Sequence, residues 1–186
     1  MMVTSIIAGT VALPFWHSMA TYQQNRILVF LDPSVDPRGA GYNLIQSQVA
    51  IGSGGLTGKG FLGGSQKRLA FIPEQHTDFI FSVVGEEWGF IGVAIILIVF
   101  GLIFWRLLRI AARTKNLYAS LIPFGIFASW FIHVMVNTGM TVGIMPITGI
   151  PLPFISYGGS FLLINLVGLG IVQRIAAENR DAVAPG

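Results

Sequence analysis

The sequence contains no cysteine and few charged residues. Asp, Glu, Lys and Arg make up 10% of its 186 residues, against about 25% in soluble domains, while 53% are hydrophobic and the mean hydropathy is +0.72. The absence of cysteine excludes disulfides, thiolate catalysis and cysteine-ligated metal sites. The shortage of charge argues against a soluble domain. It also argues against disorder, because disordered chains combine low hydrophobicity with high charge.

The charged residues are missing from long stretches rather than thinned out evenly. None occurs in the 58 residues from Asn116 to Gln173, and Met1–Asn25, Gly39–Gly58 and Trp88–Trp105 are also free of charge. A helix that spans a membrane needs about 20 apolar residues. These stretches therefore predict an all-α integral membrane protein, built as a polytopic helix bundle.

The hydrophobic pattern predicts a single membrane domain, residues 1–186, with about five spanning helices and one large extracytoplasmic loop. The predicted loop covers residues 57–87, and the predicted spans are residues 3–20, 42–56, 88–108, 117–136 and 154–172. The second span contains several amides and glycines, so we expect it to pack inside the bundle and to break near Gly52–Gly55, because polar groups at membrane depth must face protein or a wet cavity.

The basic residues fix the predicted orientation. If five spans alternate, Lys59, Lys67 and Arg68 lie on one face. The other face then collects eight basic residues: Arg26, Arg38, Arg106, Arg109, Arg113, Lys115, Arg174 and Arg180. The positive-inside rule puts the larger group in the cytoplasm, so the loop and the turn Thr138–Pro153 are extracytoplasmic. Membrane topology explains the net charge of +3, and nucleic-acid binding has little support.

The predicted loop contains the stretch PEQHTDF, residues 73–79. Glu74 and Asp78 are four residues apart and would share one face of a helix. A carboxylate held against a hydroxyl in a partly desolvated site can act as a general base, and Glu74, His76 and Asp78 offer ligands that suit Mg or Mn. The alternative is that these carboxylates are solvated loop charges or that one of them caps the next helix.

Three other features have both a functional and a structural interpretation. The glycine-rich segment Gly52–Gly60 lacks the phosphate-loop pattern, but its N–H groups can meet a pyrophosphate; alternatively, its glycines only permit a break or tight packing. His133 lies within a span, as a functional residue or as a neutral histidine bonded to a neighbouring helix. Glu86 and Glu87 precede a span, where negative charge is favourable at a helix N-terminus.

Asn137–Ser160 contains three prolines and five glycines, which break what would otherwise be apolar helix. Irregular backbone at this depth is tolerated only where it is buried in protein or lines a cavity. We therefore expect the outer ends of the last two spans to open next to the charged loop, which favours a site facing outward.

Three long stretches resemble the SEDS family of bacterial cell-wall proteins, the shape, elongation, division and sporulation group. They are residues 26–61, 72–92 and 137–160, which begin with RILVFLDP, IPEQHTDF and NTGMTVGI, and the resemblance covers almost the whole chain. Gln75 and the run LAFIP look closer to the rod-elongation type, and Ala70 stands where the septal type tends to carry an acidic residue.

The resemblance implies a peptidoglycan glycosyltransferase that polymerises lipid II into glycan strands on the outer face of the cytoplasmic membrane during cell elongation. It implies membrane lipid, lipid II and a class B penicillin-binding protein, a transpeptidase, as partners, and no nucleic acid. The catalytic carboxylate of the family's HTDF motif corresponds to Asp78, which would take the proton from the acceptor hydroxyl. A divalent cation, Mg or Mn, is expected as a possible cofactor, with no organic cofactor.

Basic side chains on the outer face would neutralise the diphosphate leaving group, and among Lys59, Lys67 and Arg68 the first choice is Lys59, in the glycine-rich segment. Its alternative role is that of an interfacial lysine bonded to lipid headgroups. The full set of candidate substrate-binding residues is Lys59, Glu74, His76, Thr77, Gln46, Ser47, Asn137, Ser156 and Tyr157.

Two further functions remain open at this point: a flippase for a lipid-linked precursor, and a non-catalytic scaffold for a penicillin-binding protein. A flippase needs no base on the outer face, and a scaffold tolerates loss of charge in the loop. The family bundle has about ten spanning helices, so the resemblance also implies that this chain corresponds to the C-terminal half and is inactive alone.

Overall fold

The structure is a computed structural model that describes residues 19–37, 39–60, 63 and 78–181, without the side chains of residues 180 and 181. These residues form five α-helices and one short 3₁₀ helix, with no strand among them, which confirms the predicted all-α class. The helices are α1 (Thr21–Leu31), α2 (Ala40–Gly54), α3 (Ile80–Arg113), α4 (Leu117–Val142) and α5 (Gly159–Asp181), and the 3₁₀ helix is Pro33–Val35.

Helices α3, α4 and α5 are long and apolar enough to cross a membrane. Large apolar side chains along them stay exposed in the structure, for example Phe90, Ile98 and Ile164. Outward-facing apolar side chains of this kind suit a lipid environment. Among the described residues, these three helices are the ones that meet the length and composition of a span. The predicted span 3–20 lies outside the described residues except for its last two positions.

Helices α3, α4 and α5 each differ from the predicted spans at one end or both. Helix α3 begins at Ile80, so the last eight residues of the predicted loop 57–87 are helical. Helix α5 begins at Gly159 rather than at residue 154, because Phe154 has a positive φ of 62°. Helix α4 continues past residue 136 to Val142, where the hydroxyls of Thr138 and Thr141 bond to carbonyls of their own helix.

Helix α2 ends at Gly54, and Gly55 has a φ of 57°, so the predicted break in the glycine-rich segment is present. Its 15 residues cover about 22 Å, less than the ~30 Å of a bilayer core. Both of its ends lie against the first turns of α3: Leu44 shares a hydrophobic cluster with Phe79, and a Cβ on Gly54 would meet the backbone carbonyl of Gly85. This packing differs from the predicted crossing of residues 42–56.

Two polar side chains join α2 to the end of α4. The hydroxyl of Ser47 donates to the carbonyl of Thr141 at 2.9 Å, and the side-chain amide of Gln48 donates to the carbonyl of Val142 at 3.2 Å. Ser47 is fully buried. The polar groups of α2 therefore face protein, as the sequence predicted for this helix.

Three hydrophobic clusters form the core. The first contains Val29, Leu44, Phe79 and Ile147, and joins α1 and α2 to the start of α3 and to the α4–α5 connection, residues 143–158. The second lies between α3, α4 and the same connection and contains Phe81, Phe100, Val134 and Leu152. The third lies between α3, α4 and α5 and contains Leu107, Trp130 and Val172. We call the end of the bundle where α3 begins, α4 ends and α5 begins the Asp78 end.

Arg26 lies at the Asp78 end. Its Nη1 donates to the carbonyl of Thr148, in the α4–α5 connection, at 2.8 Å. Its predicted grouping with the basic residues of the opposite face is therefore wrong. The grouping assumed that the chain crosses the membrane between Arg26 and the charged loop, whereas α1 and α2 both pack onto the Asp78 end.

Candidate active site

Asp78 precedes helix α3 and is held there by a buried amide. The side-chain amide of Asn137, in α4, donates to the backbone carbonyl of Asp78 at 2.9 Å and to that of Ile150 at 2.8 Å. Asn137 is fully buried, and its Oδ1 accepts no hydrogen bond. This side chain thus fastens the start of α3 and the α4–α5 connection to the same point of α4.

The half-buried carboxylate of Asp78 lies against Gly149. Gly149 has a φ of 75°, and the position that a Cβ would occupy there is 3.1 Å from Asp78 Oδ2 and 4.0 Å from Arg26 Nη2. A side chain at residue 149 would crowd the carboxylate. The structure therefore brings the carboxylate of Asp78 and the guanidinium of Arg26 close to the same point beside Gly149.

Two further contacts, one apolar and one a hydrogen bond, hold the start of α3. Phe79 is 2% exposed and belongs to the cluster that joins α1 and α2 to this end. The hydroxyl of Ser82 donates to the carbonyl of Phe79 at 2.6 Å. Together with the bond from Asn137, these contacts hold the residue next to Asp78 in a fixed position, as a catalytic group requires.

Helix α3 is broken at Gly89, nine residues after its first residue, Ile80. Gly89 has φ 65° and ψ −162°, a conformation that is essentially restricted to glycine. In an unbroken helix, the N–H groups of Phe90 and Ile91 would donate to the carbonyls of Glu86 and Glu87. The break separates these groups, so four backbone groups need other partners.

The glycine-rich segment supplies all four partners. The N–H groups of Phe90 and Ile91 donate to the carbonyls of Gly55 and Leu56 at 2.9 and 3.1 Å. In return, the carbonyls of Glu86 and Glu87 accept from the N–H groups of Lys59 and Gly60, both at 3.0 Å. The two chains approach too closely for side chains, because a Cβ on Gly58 would meet the carbonyl of Glu87. The structural interpretation of these glycines, a break with tight packing, therefore accounts for their positions.

Lys59 forms an ion pair with Glu86 across the same contact. Its Nζ lies 2.9 Å from Glu86 Oε1, and the side chains are 31% and 1% exposed. Glu86 and Glu87 are both buried within α3. They do precede the second part of this helix, beyond Gly89, but Glu86 is balanced by a lysine rather than by a helix N-terminus alone.

The other predicted binding residues are spread over the Asp78 end. Ser156 is buried, and its Oγ accepts from the N–H of Leu152 at 2.7 Å, so it shapes the α4–α5 connection. Tyr157 is 79% exposed. Gln46 is half-buried in α2, one residue before the buried Ser47.

His133 makes a structural contact. Its Nδ1 lies 3.0 Å from the carbonyl of Pro151, and its ring stacks on Phe161 with centroids 5.4 Å apart. Because a carbonyl accepts, Nδ1 carries the proton. His133 is therefore the neutral, bonded histidine of the second interpretation. Its partner lies in the irregular α4–α5 connection and not in a neighbouring helix.

The remaining predicted site residues, Glu74, His76 and Thr77, lie outside the described residues, as do Lys67 and Arg68. Within the described part of the chain, no group of three His, Asp or Glu side chains could hold a metal ion. Those residues alone do not supply a cation site, so Mg or Mn binding stays a prediction.

Arg26 is the site residue that sequence reasoning missed. Its charge was visible, but its position in a polar connector gave no signal that it meets the α4–α5 connection, which is 122 residues further along the chain. Only the packing of α1 against that connection brings the two together.

Comparison with known proteins identifies the family. Residues 1–181 match the family FTSW_RODA_SPOVE, described as cell cycle protein. The chain is 46% identical over 175 residues to the peptidoglycan glycosyltransferase MrdB of Escherichia coli K12, which covers 94% of this chain and 47% of that protein. It is 48% identical over 157 residues to the peptidoglycan glycosyltransferase RodA of Treponema pallidum, which covers 84% of this chain and 36% of that protein.

Two solved structures are also similar. One is a peptidoglycan synthase complex described as coordinating polymerization and crosslinking, with a TM-score of 0.72 and 35% identity over 95% of this chain and 48% of that one. The other is a mutant of the rod shape determining protein RodA of Thermus thermophilus, with a TM-score of 0.56 and 38% identity over 73% of this chain and 40% of that one. The chain spans about half the length of the curated relatives it matches. It belongs to the FtsW/RodA/SpoVE family, as its motifs had indicated.

Proposed function

We propose that this chain belongs to a peptidoglycan glycosyltransferase that polymerises lipid II during cell elongation. The relatives named MrdB and RodA, 46% and 48% identical, are called peptidoglycan glycosyltransferases. The observation that carries the proposal is the environment of Asp78, a half-buried carboxylate beside Gly149 whose backbone is held by Asn137. It has two of the properties that a general base needs: a restrained position and partial desolvation.

The reaction joins two lipid-linked saccharides. The 4-hydroxyl of the acceptor's GlcNAc attacks the anomeric carbon of the donor, while Asp78 accepts the hydroxyl proton. The new C–O bond forms as the bond between the anomeric carbon and the diphosphate oxygen breaks, with inversion at that carbon. Undecaprenyl diphosphate leaves with the electron pair. Because diphosphate is a good leaving group, the protein mainly needs a base on one side and positive charge on the other.

Asp78 suits the role of base through its fixed backbone. Proton transfer needs the base within hydrogen-bond reach of the acceptor hydroxyl, and small displacements are costly. Asn137 limits such displacement by joining the carbonyl of Asp78 to that of Ile150. A divalent cation, Mg or Mn, would supply charge neutralisation of the diphosphate if Glu74 or His76 completes a site with Asp78.

We further propose that the Asp78 end faces the outside of the cytoplasmic membrane. Six basic residues occur near the end of α3, the α3–α4 connection and the end of α5: Arg106, Arg109, Arg113, Lys115, Arg174 and Arg180. By the positive-inside rule, these six residues favour the cytoplasm for their end of the bundle, even when Arg26 is counted at the Asp78 end. A class B penicillin-binding protein is the proposed partner, because a similar solved structure is a complex that couples polymerization with crosslinking.

Polymerisation of purified lipid II by the full-length protein with its transpeptidase partner tests the function. We expect Asp78→Asn to lower the rate at least 100-fold, because general base catalysis contributes roughly 10²–10⁴-fold. The matched control is Asp32→Asn, which removes an exposed carboxylate that accepts from Ser34. A chelator arm measures the dependence on a divalent cation.

Full activity of Asp78→Asn would contradict the role of Asp78 as base. If the unsubstituted protein moves lipid II across vesicles without polymerising it, and Asp78→Asn still does so, the protein is a flippase. If neither activity occurs but the partner's crosslinking depends on the chain, it is a scaffold.

A further inference from the structure

We propose that Arg26 binds the diphosphate of the lipid-linked donor, on the side of the site opposite to the attacking hydroxyl. This inference rests on the proposed function, since it assigns a residue to the leaving group of that reaction. The observation that carries it is the placement of the guanidinium beside Gly149, facing the same point as the carboxylate of Asp78.

The first step is the distance between the two charged groups. Asp78 Oδ2 and Arg26 Nη2 lie 3.1 and 4.0 Å from one point, the position of an added Cβ on Gly149, so they are at most about 7 Å apart. Both charged groups therefore border the same small space beside Gly149.

The second step is the state of the Arg26 side chain. One of its N–H groups donates to the carbonyl of Thr148 at 2.8 Å, and its Cζ lies 5.8 Å from the centre of the Tyr22 ring. Both contacts orient the guanidinium, which is half-buried. A guanidinium has five N–H donors in a rigid fork, so the hydrogen bond to Thr148 leaves donors for a second acceptor.

A guanidinium is chemically suited to the group that leaves. The bond that breaks leaves negative charge on a diphosphate oxygen, and a donor aimed at that charge acts most strongly in a site with little water. Arginine matches phosphate oxygens with two parallel hydrogen bonds and stays charged at every physiological pH. A guanidinium already held by a carbonyl and a ring loses little freedom when it binds.

Lys59, which the sequence had favoured for this role, is already paired with an acidic residue. Its Nζ is bonded to Glu86 Oε1 at 2.9 Å, and Glu86 is 1% exposed. If Lys59 moved to a diphosphate, a buried carboxylate would lose its counter-charge, which is strongly unfavourable. Arg26 can bind a diphosphate without this penalty, because its hydrogen-bond acceptor is a neutral carbonyl.

Ligand binding without turnover tests the proposal. The full-length protein carrying Asp78→Asn is titrated with undecaprenyl diphosphate and with uncharged undecaprenol, and Arg26→Gln and Arg26→Lys are added to that background. We expect Arg26→Gln to weaken binding of the diphosphate at least tenfold and to leave undecaprenol binding unchanged. Arg26→Lys keeps the charge but not the fork, and should weaken diphosphate binding several-fold.

The control is Arg106→Gln, which removes an exposed arginine from the part of α3 remote from Asp78, and should change neither affinity. Equal loss of affinity for both ligands would overturn the proposal, because it would mean that Arg26 only holds the connection in place. Unchanged diphosphate affinity in Arg26→Gln would overturn it as well.

The thermal unfolding temperature of each variant shows whether it is folded. If Arg26→Gln does not fold, Arg26→Lys decides, and diphosphate affinity equal to that of the parent would contradict the assignment. Because binding is measured without turnover, the result is independent of polymerisation. Failure of the unsubstituted protein to polymerise lipid II would remove the proposed function while leaving a measured role for Arg26 in diphosphate binding.

Discussion

Asn137 is the residue on which the geometry of the site depends. The sequence analysis places it among the candidate substrate-binding residues, and in the structure it is fully buried and bonded to two backbone carbonyls. Its side chain thus acts on Asp78 through the backbone. Arg26, predicted to lie on the opposite face, is the residue that lies beside the carboxylate.

We expect Asn137→Ala to reduce polymerisation more than it reduces stability. The change leaves the carbonyls of Asp78 and Ile150 without their donor, at about 1–3 kcal/mol for each buried acceptor that water does not reach. It also frees Asp78 to move. Polymerisation rate and thermal unfolding in detergent are measured on the same preparation.

The matched control for this substitution is Asn165→Ala, which also removes a buried amide, one that bonds to the carbonyl of Phe161 within α5. We expect it to cost about 1 kcal/mol with a small change in rate. Equal rates for Asn137→Ala and the parent would show that Asp78 does not need this anchor.

At the scale of elements, the main feature is the set of backbone hydrogen bonds that joins α3 to the glycine-rich segment. Gly89 breaks α3, and four backbone bonds to residues 55–60 replace the two that the helix loses. The ion pair between Lys59 and Glu86 lies on this contact. The contact fixes where the chain leaves α2, at the start of the segment that leads to Asp78.

We expect Lys59→Met to destabilise the protein by about 3 kcal/mol, because it leaves the buried carboxylate of Glu86 without its counter-charge. The double variant Lys59→Met with Glu86→Gln should recover a large part of that loss, since the buried charge is then removed as well. The comparison is made by thermal or denaturant unfolding in detergent.

A double variant no more stable than Lys59→Met alone would argue against the ion pair as the cause. Arg174, paired on the surface with Glu178 at 2.9 Å, provides the control. Arg174→Met should cost less than about 1 kcal/mol, because both partners are well exposed.

At the scale of the whole molecule, three long apolar helices stand beside a smaller unit, α1 and α2, that covers the Asp78 end. The chain therefore keeps Arg26, the glycine-rich segment and Asp78 at the same end of the bundle. We therefore expect the connector after α1 to lie on the same side of the membrane as the site.

We expect Ser34→Cys to react with a membrane-impermeant maleimide added outside intact cells, and Ala112→Cys to react only after the membrane is opened. Both side chains are exposed, at opposite ends of the molecule. These 186 residues contribute no other cysteine to the labelling. If Ser34→Cys does not react in intact cells, this arrangement is contradicted. The result would then support the membrane crossing that the sequence predicts between Arg26 and the loop.

Much of the site was predictable from residue types, and its assembly was not. The motif around Asp78 and the irregular stretch Asn137–Ser160 were visible in the sequence, and the structure brings their ends together through Asn137. The roles of Lys59 and Arg26 were not predictable, because both depend on contacts between segments far apart in the chain.

The sequence by itself determined that this is a helical membrane protein of the FtsW/RodA/SpoVE family, because long uncharged apolar stretches and extended motifs are properties of consecutive residues. The tertiary structure alone decided which charges meet. Glycines at residues 54, 58 and 149 let backbones and charged groups approach closely, and Arg26 and Lys59 reach their partners only through that packing. Contacts of this kind join distant segments, so no local pattern encodes them.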